Sequence, residues 1–239
     1  MKIFVITAFP GMIKACLVES MFKKASEKAG VVYEVWDLRD FTRDKHKQID
    51  DTPYGGGPGM VLKPEPFFRA HDRLKKILGK SKPRVIFPSP QGIVFDHALS
   101  KELAKESDLT FFCGHYKGVD ERVIENLVTD EISIGDFITT GGELPALMMI
   151  DALIRHIPEV LHSYESAETD SFADNLLEGP LYTHPKKYRG MSVPEILISG
   201  NHKKIGEWRH EKRIRRTRQR RIDLLSSKTE KNDFGGNNG

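Results

Sequence analysis

Residues 109–128, LTFFCGHYKGVDERVIENLV, contain the pattern that decides the fold. Leu109–Cys113 is a short, mostly apolar run of the kind that forms a buried strand. The glycine-rich turn Gly114–Gly118 follows, and Asp120–Val128 then spaces its apolar residues three and four apart, as an amphipathic helix does. A strand that leads into a helix through a short turn is the repeating unit of a parallel α/β sheet.

The same alternation of strand and helix extends over the first two thirds of the chain. It predicts strands at Lys2–Thr7, Val31–Asp37, Arg84–Phe87, Leu109–Cys113 and Glu131–Ile134, and helices at Met12–Lys28, Glu65–Leu78, Asp96–Glu106, Asp120–Val128 and Glu143–His156. The predicted fold class is therefore α/β, with a largely parallel sheet covered by helices on both faces.

Three of the turns that follow these strands are unusually rich in Gly and Pro. They are Pro88–Gly92, Gly114–Gly118 and Gly135–Glu143. Because ligands bind beyond the carboxyl ends of parallel strands, we expect the three turns to open onto one edge and to hold one ligand on exposed backbone groups. The chain has neither the dinucleotide-binding glycine motif after its first strand nor a phosphate-binding loop, which argues against those two classes of enzyme.

A fourth glycine-rich segment, Asp50–Met60 (DDTPYGGGPGM), has four glycines and two prolines within seven residues. Glycine costs folding entropy and buries no side chain, so such a bare loop is typical of backbone that bends sharply and approaches a ligand closely. An ordinary surface hairpin or a flexible linker is the alternative. Pro53, Tyr54 and Pro58 make the segment stiffer than most linkers.

The composition of the 239 residues indicates a globular protein with one substantial core and room for a small second domain. Cys16 and Cys113 are the two cysteines, which excludes a disulfide framework and favours a cytoplasmic location. The apolar run Met1–Thr7 is too short for a signal peptide. No run approaches the ~18 apolar residues of a membrane span, so we expect no membrane association.

Basic residues are concentrated towards the C-terminal end. Residues 184–221 hold 13 of the 37 Lys and Arg residues but 3 of the 34 Asp and Glu residues. Such a block commonly binds a polyanion, because each cation that neutralises a phosphate releases condensed counterions. A solvated helix face is the alternative. Within the block, Asn201 can cap a helix that runs to about Arg216.

These shifts in composition predict the domain boundaries. Residues 1–161 would form the α/β domain, 162–175 an acidic linker, 176–226 a basic helical domain, and 227–239 a polar, disordered tail.

Six segments, in this order, resemble those of one known family: Asp50–Met60, Ser89–Gly92, Gly118–Val123, Ser133–Asp136, Gly141–Ala146 and Leu197–His202. The chain resembles the bacterial tRNA (guanine-N1)-methyltransferases of the TrmD type, members of the SPOUT superfamily, over nearly its whole length. The resemblance implies a homodimer in which a trefoil-knotted domain binds S-adenosylmethionine and the C-terminal domain holds tRNA. The methyl group would go to N1 of guanosine at tRNA position 37, in tRNAs with guanosine at position 36.

The resemblance also implies roles for two charged residues. Guanine N1 carries a proton, so its methylation needs a base and a donor that stabilises negative charge on O6. By matching to the family, Asp170 would be the base and Arg155 the partner of O6. Without the family, Asp170 reads as a solvated linker acid and Arg155 as a cation placed favourably at the end of a helix.

Matching to the family assigns two further groups of residues. The groups that would hold S-adenosylmethionine are Phe87, Ser89, Pro90, Gly114, Gly118, Ile134, Gly135, Asp136, Phe137, Ile138, Thr139, Gly141 and Gly142. Core packing is an additional role for Phe87, Ile134 and Phe137. The residues that would contact tRNA are Asp50, Gly59, Lys203, Arg209, Arg215 and Arg216.

The chain departs from the family at Lys117, where many relatives have a glutamate that is associated with magnesium. A protonated lysine cannot ligate a hard cation, so we predict no metal site here and leave magnesium dependence open. We hypothesise that Lys117 supplies part of the charge that a cation would supply.

Two other interpretations remain. One keeps the knotted fold but changes the target to another nucleoside of ribosomal or transfer RNA. The other is an RNA-binding protein that holds the cofactor, or an analogue, without catalysis. Asp170 and Arg155 discriminate between catalysis and binding, because a binder needs neither a base nor a charge stabiliser.

Overall fold

The first strand shows that the main sheet has a core on each face. Strand β1 (Lys2–Thr7) is buried at every position but its first. Ile3 and Val5 belong to one hydrophobic cluster, whereas Phe4 and Ile6 belong to another. Because successive side chains of a strand point to opposite faces, the two clusters are layers of core on either side of one sheet.

The strands form one main sheet and two hairpins. The computed structural model describes residues 1–79, 82–161 and 170–226. The main sheet has the strand order β2-β1-β6-β5-β7 with every adjacent pair parallel, whereas β3-β4 and β8-β9 are antiparallel hairpins. The predicted parallel sheet is confirmed. After β1, the strands are β2 (Val32–Asp37), β3 (Asp50–Asp51), β4 (Val61–Leu62), β5 (Val85–Val94), β6 (Asp108–Phe112), β7 (Asp130–Ser133), β8 (Lys187–Tyr188) and β9 (Met191–Ser192).

Helices cover both faces of the main sheet, as predicted. They are α1 (Pro10–Leu17), α2 (Ser20–Ala29), α3 (Pro64–Leu78), α4 (His97–Leu103), α5 (Glu121–Leu127), α6 (Glu143–Ile154), α7 (His202–Arg220) and α8 (Asp223–Ser226). Buried residues of α1, α2, α4 and α6 belong to the cluster that contains Ile3. Buried residues of α3 and α5 belong to the cluster that contains Phe4.

The prediction of one long helix over Met12–Lys28 is wrong. The structure has two helices, α1 and α2, because the chain leaves the helical conformation at Glu19, whose backbone is extended. The break lets both helices place buried residues, Ile13 of α1 and Ala25 of α2, in the same layer of core. Apolar spacing alone cannot locate such a break, since both halves keep a helical period.

The prediction that the third main-sheet strand ends at Phe87 is also wrong. Strand β5 continues to Val94, and Pro88 and Ile93 both pair with Ile132 of β7. The residues between them therefore bulge out of the sheet before the strand resumes pairing. The bulge brings Gly92 so close to the backbone of Glu131 that a side chain there would collide with it.

Ion pairs hold together the amino-terminal ends of the strands. Arg84, which precedes β5, donates hydrogen bonds to Asp130 of β7 at 2.8 and 3.2 Å. It also donates to Glu102 and Glu106, each at 2.9 Å. Although burial works against it, hydrogen bonding from Arg84 holds the pKa of Asp130 below its ordinary value. Arg84 thus stabilises the edge opposite to the one where ligands bind in such sheets.

The chain divides into two compact units, Met1–His162 and Ser163–Gly239. In the second unit, Asn201 caps α7 by accepting a hydrogen bond from the Lys204 amide at 3.1 Å, which confirms the predicted helix start. The helix continues to Arg220, beyond the predicted end. Residues 162–169 of the predicted linker and the predicted tail 227–239 lie outside the described residues. Within the described ranges, no helix is long and apolar enough to span a membrane.

The close approach at Gly92 makes Gly92→Ala a test of the bulge. The added methyl group would collide with the backbone of Glu131 and Ile132, so the paired strands must move apart. We expect unfolding to become easier by about 1–3 kcal/mol, measured by urea denaturation. The control is Gly11→Ala in α1, where an added methyl group would point into open space and the helix should gain up to about 1 kcal/mol. Equal denaturation midpoints for the two variants would contradict the bulge geometry.

Candidate functional site

A cavity lies where the carboxyl ends of three neighbouring strands meet. Its volume is about 340 Å³, and its walls come from the segments that follow β6 and β7 and from the bulge in β5. The three glycine-rich segments that the sequence predicted to share one edge therefore do so. Glycines and apolar residues make up most of the cavity lining.

Twelve of the thirteen residues predicted to hold a cofactor line this cavity, and Asp136 is the exception. Asp136 lies in the loop after β7, between two lining residues, but is not itself part of the wall. The twelve are Phe87, Ser89, Pro90, Gly114, Gly118, Ile134, Gly135, Phe137, Ile138, Thr139, Gly141 and Gly142.

Short hydrogen bonds fix the loop between β7 and α6 in place. The Gly135 amide donates to the Ser133 hydroxyl at 3.1 Å, and the Thr139 hydroxyl donates to the Gly141 carbonyl at 2.9 Å. The Gly142 amide donates to the carbonyl of Gly114 at 2.8 Å, which ties this loop to the one that follows β6. Two walls of the cavity are thus joined by backbone hydrogen bonding.

A buried acid that the sequence did not single out supports the same wall. The side chain of Glu143, the first residue of α6, is only 2% exposed. It accepts a hydrogen bond from the Thr7 hydroxyl at 2.6 Å and lies 3.5 Å from Nδ1 of His115. A side chain at Gly141 would collide with both His115 and Glu143. The available signal was the acid in the first turn of a mostly apolar helix, where the helix dipole favours a negative charge.

The glycine-rich hairpin β3-β4 is attached to the cavity wall. The Lys117 amide donates to the Met60 carbonyl, and the Leu62 amide donates to the Gly118 carbonyl, each at 3.0 Å. Gly59 has a φ of +93°, and its Cα faces the Lys117 side chain closely enough that a Cβ would lie 2.7 Å from Cγ. Asp50 pairs with Leu62 across the hairpin. Asp50 and Gly59, which the sequence analysis assigned to tRNA contact, therefore lie on a hairpin that is held beside the cavity by backbone hydrogen bonds and is not a flexible linker.

The two predicted catalytic residues lie in different compact units. Arg155 is the C-cap residue of α6 in the first unit and is half-buried. Asp170 belongs to the second unit and is also half-buried, and its carbonyl accepts a hydrogen bond from the Ala173 amide at 3.3 Å.

A family model described as tRNA (Guanine-1)-methyltransferase TrmD matches residues 1–227. This chain belongs to that family. Among similar proteins, one from Clostridioides difficile (strain 630) is 47% identical over 231 residues, which cover 97% of this chain and 100% of the relative. One from Brevibacillus brevis is 52% identical over 225 residues, covering 94% and 91% of the two chains. One from Anoxybacillus flavithermus is 50% identical over 227 residues, covering 95% and 92%. All three are named tRNA (guanine-N(1)-)-methyltransferase.

Lys117 places a positive charge on the cavity wall. Among the described residues that line the cavity, Lys117 is the sole Lys or Arg, and its side chain is exposed. Within the same described ranges, no group of three or more His, Cys, Asp or Glu residues could hold a metal ion. Glu121 and Glu131 also line the cavity, so its charged side chains are of both signs and Lys117 supplies the positive one.

The basic residues of α7 divide into two sets. Lys203, Arg209 and Arg215 of the predicted tRNA-contact group are exposed. Arg216 is half-buried and donates hydrogen bonds to the carbonyls of Glu178 and Gly179 at 2.8 and 2.9 Å. The half-buried Trp208 lies beneath Lys212, whose Nζ is 5.5 Å from the ring centroid.

Proposed function

We propose that this chain transfers a methyl group from S-adenosylmethionine to N1 of guanosine at position 37 of tRNAs that have guanosine at position 36. The observation that carries the proposal is the family match over residues 1–227 together with a cavity walled by the matching glycine-rich segments. Relatives that are about half identical bear the name tRNA (guanine-N(1)-)-methyltransferase.

The cavity has the size and chemistry for S-adenosylmethionine. Its volume of about 340 Å³ is within the usual range of small-molecule sites. Phe87, Ile134 and Phe137 offer apolar surface for an adenine ring, and the glycines expose backbone carbonyls and amides to the polar groups. When bound, S-adenosylmethionine would supply an electrophilic methyl group on a sulfonium, and the neutral thioether that remains after transfer is an excellent leaving group.

In this proposal, one residue removes a proton from the purine and a second stabilises the negative charge that results. The Asp170 carboxylate removes the proton from guanine N1, so that the lone pair of N1 can form the new bond to carbon. The Arg155 guanidinium donates hydrogen bonds to O6, where negative charge gathers as the proton leaves. Asp50 and Gly59, on the hairpin beside the cavity, face the target guanine and its neighbour. Outward-facing Lys203, Arg209 and Arg215 contact tRNA phosphates.

The length of α6 supports an active site built from two subunits. The helix starts at Glu143, beside the cavity, and has 12 residues before Arg155. At 1.5 Å per residue, Arg155 lies about 18 Å along the axis from the cavity wall, beyond the reach of its own side chain. The helix also exposes Leu144 and Met148, which are 51% and 55% accessible. We therefore propose a homodimer in which Arg155 and Asp170 serve the partner's cavity. The family match supports the separate proposal that the catalytic domain is trefoil-knotted.

Labelled methyl transfer to a tRNA transcript tests the proposed activity. The wild-type chain should label a transcript with guanosine at position 37 and leave the same transcript with adenosine there unlabelled. Asp170→Asn should keep the affinity for S-adenosylhomocysteine and tRNA but lose about 10²- to 10⁴-fold in transfer rate, because it lacks the base. Isothermal titration calorimetry measures the binding.

Three outcomes would contradict this assignment. Equal labelling of the two transcripts would favour another target nucleoside. Binding of both ligands by the wild-type chain without any transfer would favour the non-catalytic binder. Normal turnover by Asp170→Asn would remove the proposed base.

Subunit complementation tests the shared site. Gly141→Val should block the cavity by collision with His115 and Glu143, whereas Asp170→Asn leaves the cavity intact. Each variant alone should be inactive, but heterodimers would contain one site with both an open cavity and a base. Random mixing should therefore restore about a quarter of the wild-type activity, measured after co-expression. An unrestored mixture, or a fully active monomer in sedimentation analysis, would contradict the shared site.

Because Lys117 supplies a positive charge at the cavity, we expect methyl transfer to depend little on magnesium. With magnesium chelated and tRNA folding maintained by spermidine, the wild-type chain should keep most of its transfer rate. Lys117→Glu, which introduces the acid found in many relatives, should lose more of its rate under the same chelation. Complete loss of wild-type transfer on chelation would show that Lys117 does not replace a cation.

A further inference from the structure

The described segment that begins with the proposed base is bound along one face of α7. We call Asp170–Gly179 the docked segment. The Leu177 amide donates to the Thr217 hydroxyl at 2.8 Å, and Arg216 donates to the two carbonyls at the end of the segment. Arg213 forms a two-point ion pair with Asp174, with N to O distances of 2.9 and 2.5 Å. The anchoring residues 213, 216 and 217 lie on one helix face.

Internal hydrogen bonds make the docked segment one folded piece. The Glu178 amide donates to the Ser171 hydroxyl, and the Phe172 amide donates to the Leu176 carbonyl, both at 2.9 Å. The Ala173 amide donates to the carbonyl of Asp170 itself at 3.3 Å. The residues between Asp170 and Asp174 are held in a tight turn by these hydrogen bonds. A displacement of Asp174 would therefore also displace Asp170.

The environment of Arg213 differs from that of a cation that waits for a phosphate. Its side chain is only 15% exposed, and both terminal nitrogens are bonded to Asp174. Thr217, one turn further on, is fully buried and donates to the Arg213 carbonyl at 2.8 Å. By contrast, Arg215 is exposed on another face of the same helix. Neighbouring arginines of one basic helix thus have two different environments.

We propose that Arg213, through Asp174, is a positioning residue for the base Asp170. In this proposal, α7 both binds the RNA backbone and holds the docked segment that contains the base. This inference rests on the proposed function. Phosphates would bind the outward cations of α7, while Arg213 on the inner face fixes the docked segment relative to them. Binding of the tRNA backbone would then set the location of the carboxylate that deprotonates the purine. A two-point arginine pair suits this role because it fixes both distance and orientation.

The test compares two arginines of α7 and the acid that pairs with one of them. Arg213→Ala and Asp174→Asn should each lower kcat for methyl transfer by about 10- to 100-fold, because a base displaced by an ångström loses most of its effect. Neither change should alter the affinity for S-adenosylhomocysteine. Arg215→Ala, the control of equal charge on the same helix, should instead raise KM for tRNA and reduce the salt dependence of binding.

Asp174→Asn decides between positioning and phosphate binding even where Arg213→Ala lowers the melting temperature. Removing a negative charge beside RNA cannot remove a phosphate contact, so an electrostatic role for the pair predicts equal or tighter tRNA binding with unchanged kcat. The positioning role predicts a lower kcat. The exchanged pair Arg213→Asp with Asp174→Arg should recover part of the kcat that either single change removes.

The outcomes separate this inference from the proposed function. Failure of the wild-type chain to methylate the guanosine-37 transcript would overturn the proposed function itself. With an active wild-type chain, an unchanged kcat for Asp174→Asn, or the same rise in KM for Arg213→Ala and Arg215→Ala, would overturn the positioning role alone.

Discussion

The hydrogen bond between Thr7 and the buried carboxylate of Glu143 joins two parts of the first unit that are 136 residues apart in the sequence. Thr7 is the last residue of β1, the first strand of the chain. Glu143 is the first residue of α6, the helix that follows β7. A buried carboxylate without partners would be costly, so this contact, with His115 nearby, fixes where α6 can begin. The start of α6 in turn fixes the loop before it, and that loop forms one wall of the cavity.

Charged residues are arranged differently at the two edges of the main sheet and on α7. At the amino-terminal edge of the sheet, Arg84 forms salt bridges with three acids, Glu102, Glu106 and Asp130. At the opposite edge, glycines and apolar residues make up most of the cavity lining, and the charged residues Lys117, Glu121 and Glu131 also line it. In the second unit, cations on α7 are either matched inward, as Arg213 is, or exposed outward, as Arg215 is.

Much of the fold and of the cavity could be predicted from the sequence, because apolar period and glycine-rich turns are local signals. The strands, the parallel class and the shared edge follow from them. The break between α1 and α2 could not be predicted, since the apolar spacing continues through it. The continuation of β5 depends on pairing with β7, which is distant in sequence. Likewise, composition shows that residues 184–221 are basic, but only tertiary contacts distinguish the inward Arg213 and Arg216 from their exposed neighbours.

The burial of Cys113 has a chemical consequence for an enzyme that handles an activated methyl group. Its side chain is inaccessible, and burial together with the Glu143 charge raises the pKa of the thiol well above its ordinary value. The sulfur next to the glycine-rich wall is therefore held as a protonated thiol, and the thiolate is the form that attacks electrophilic carbon. A sulfonium donor bound beside this wall, as proposed above, would therefore meet a buried thiol and not a reactive thiolate, so alkylation of Cys113 is disfavoured.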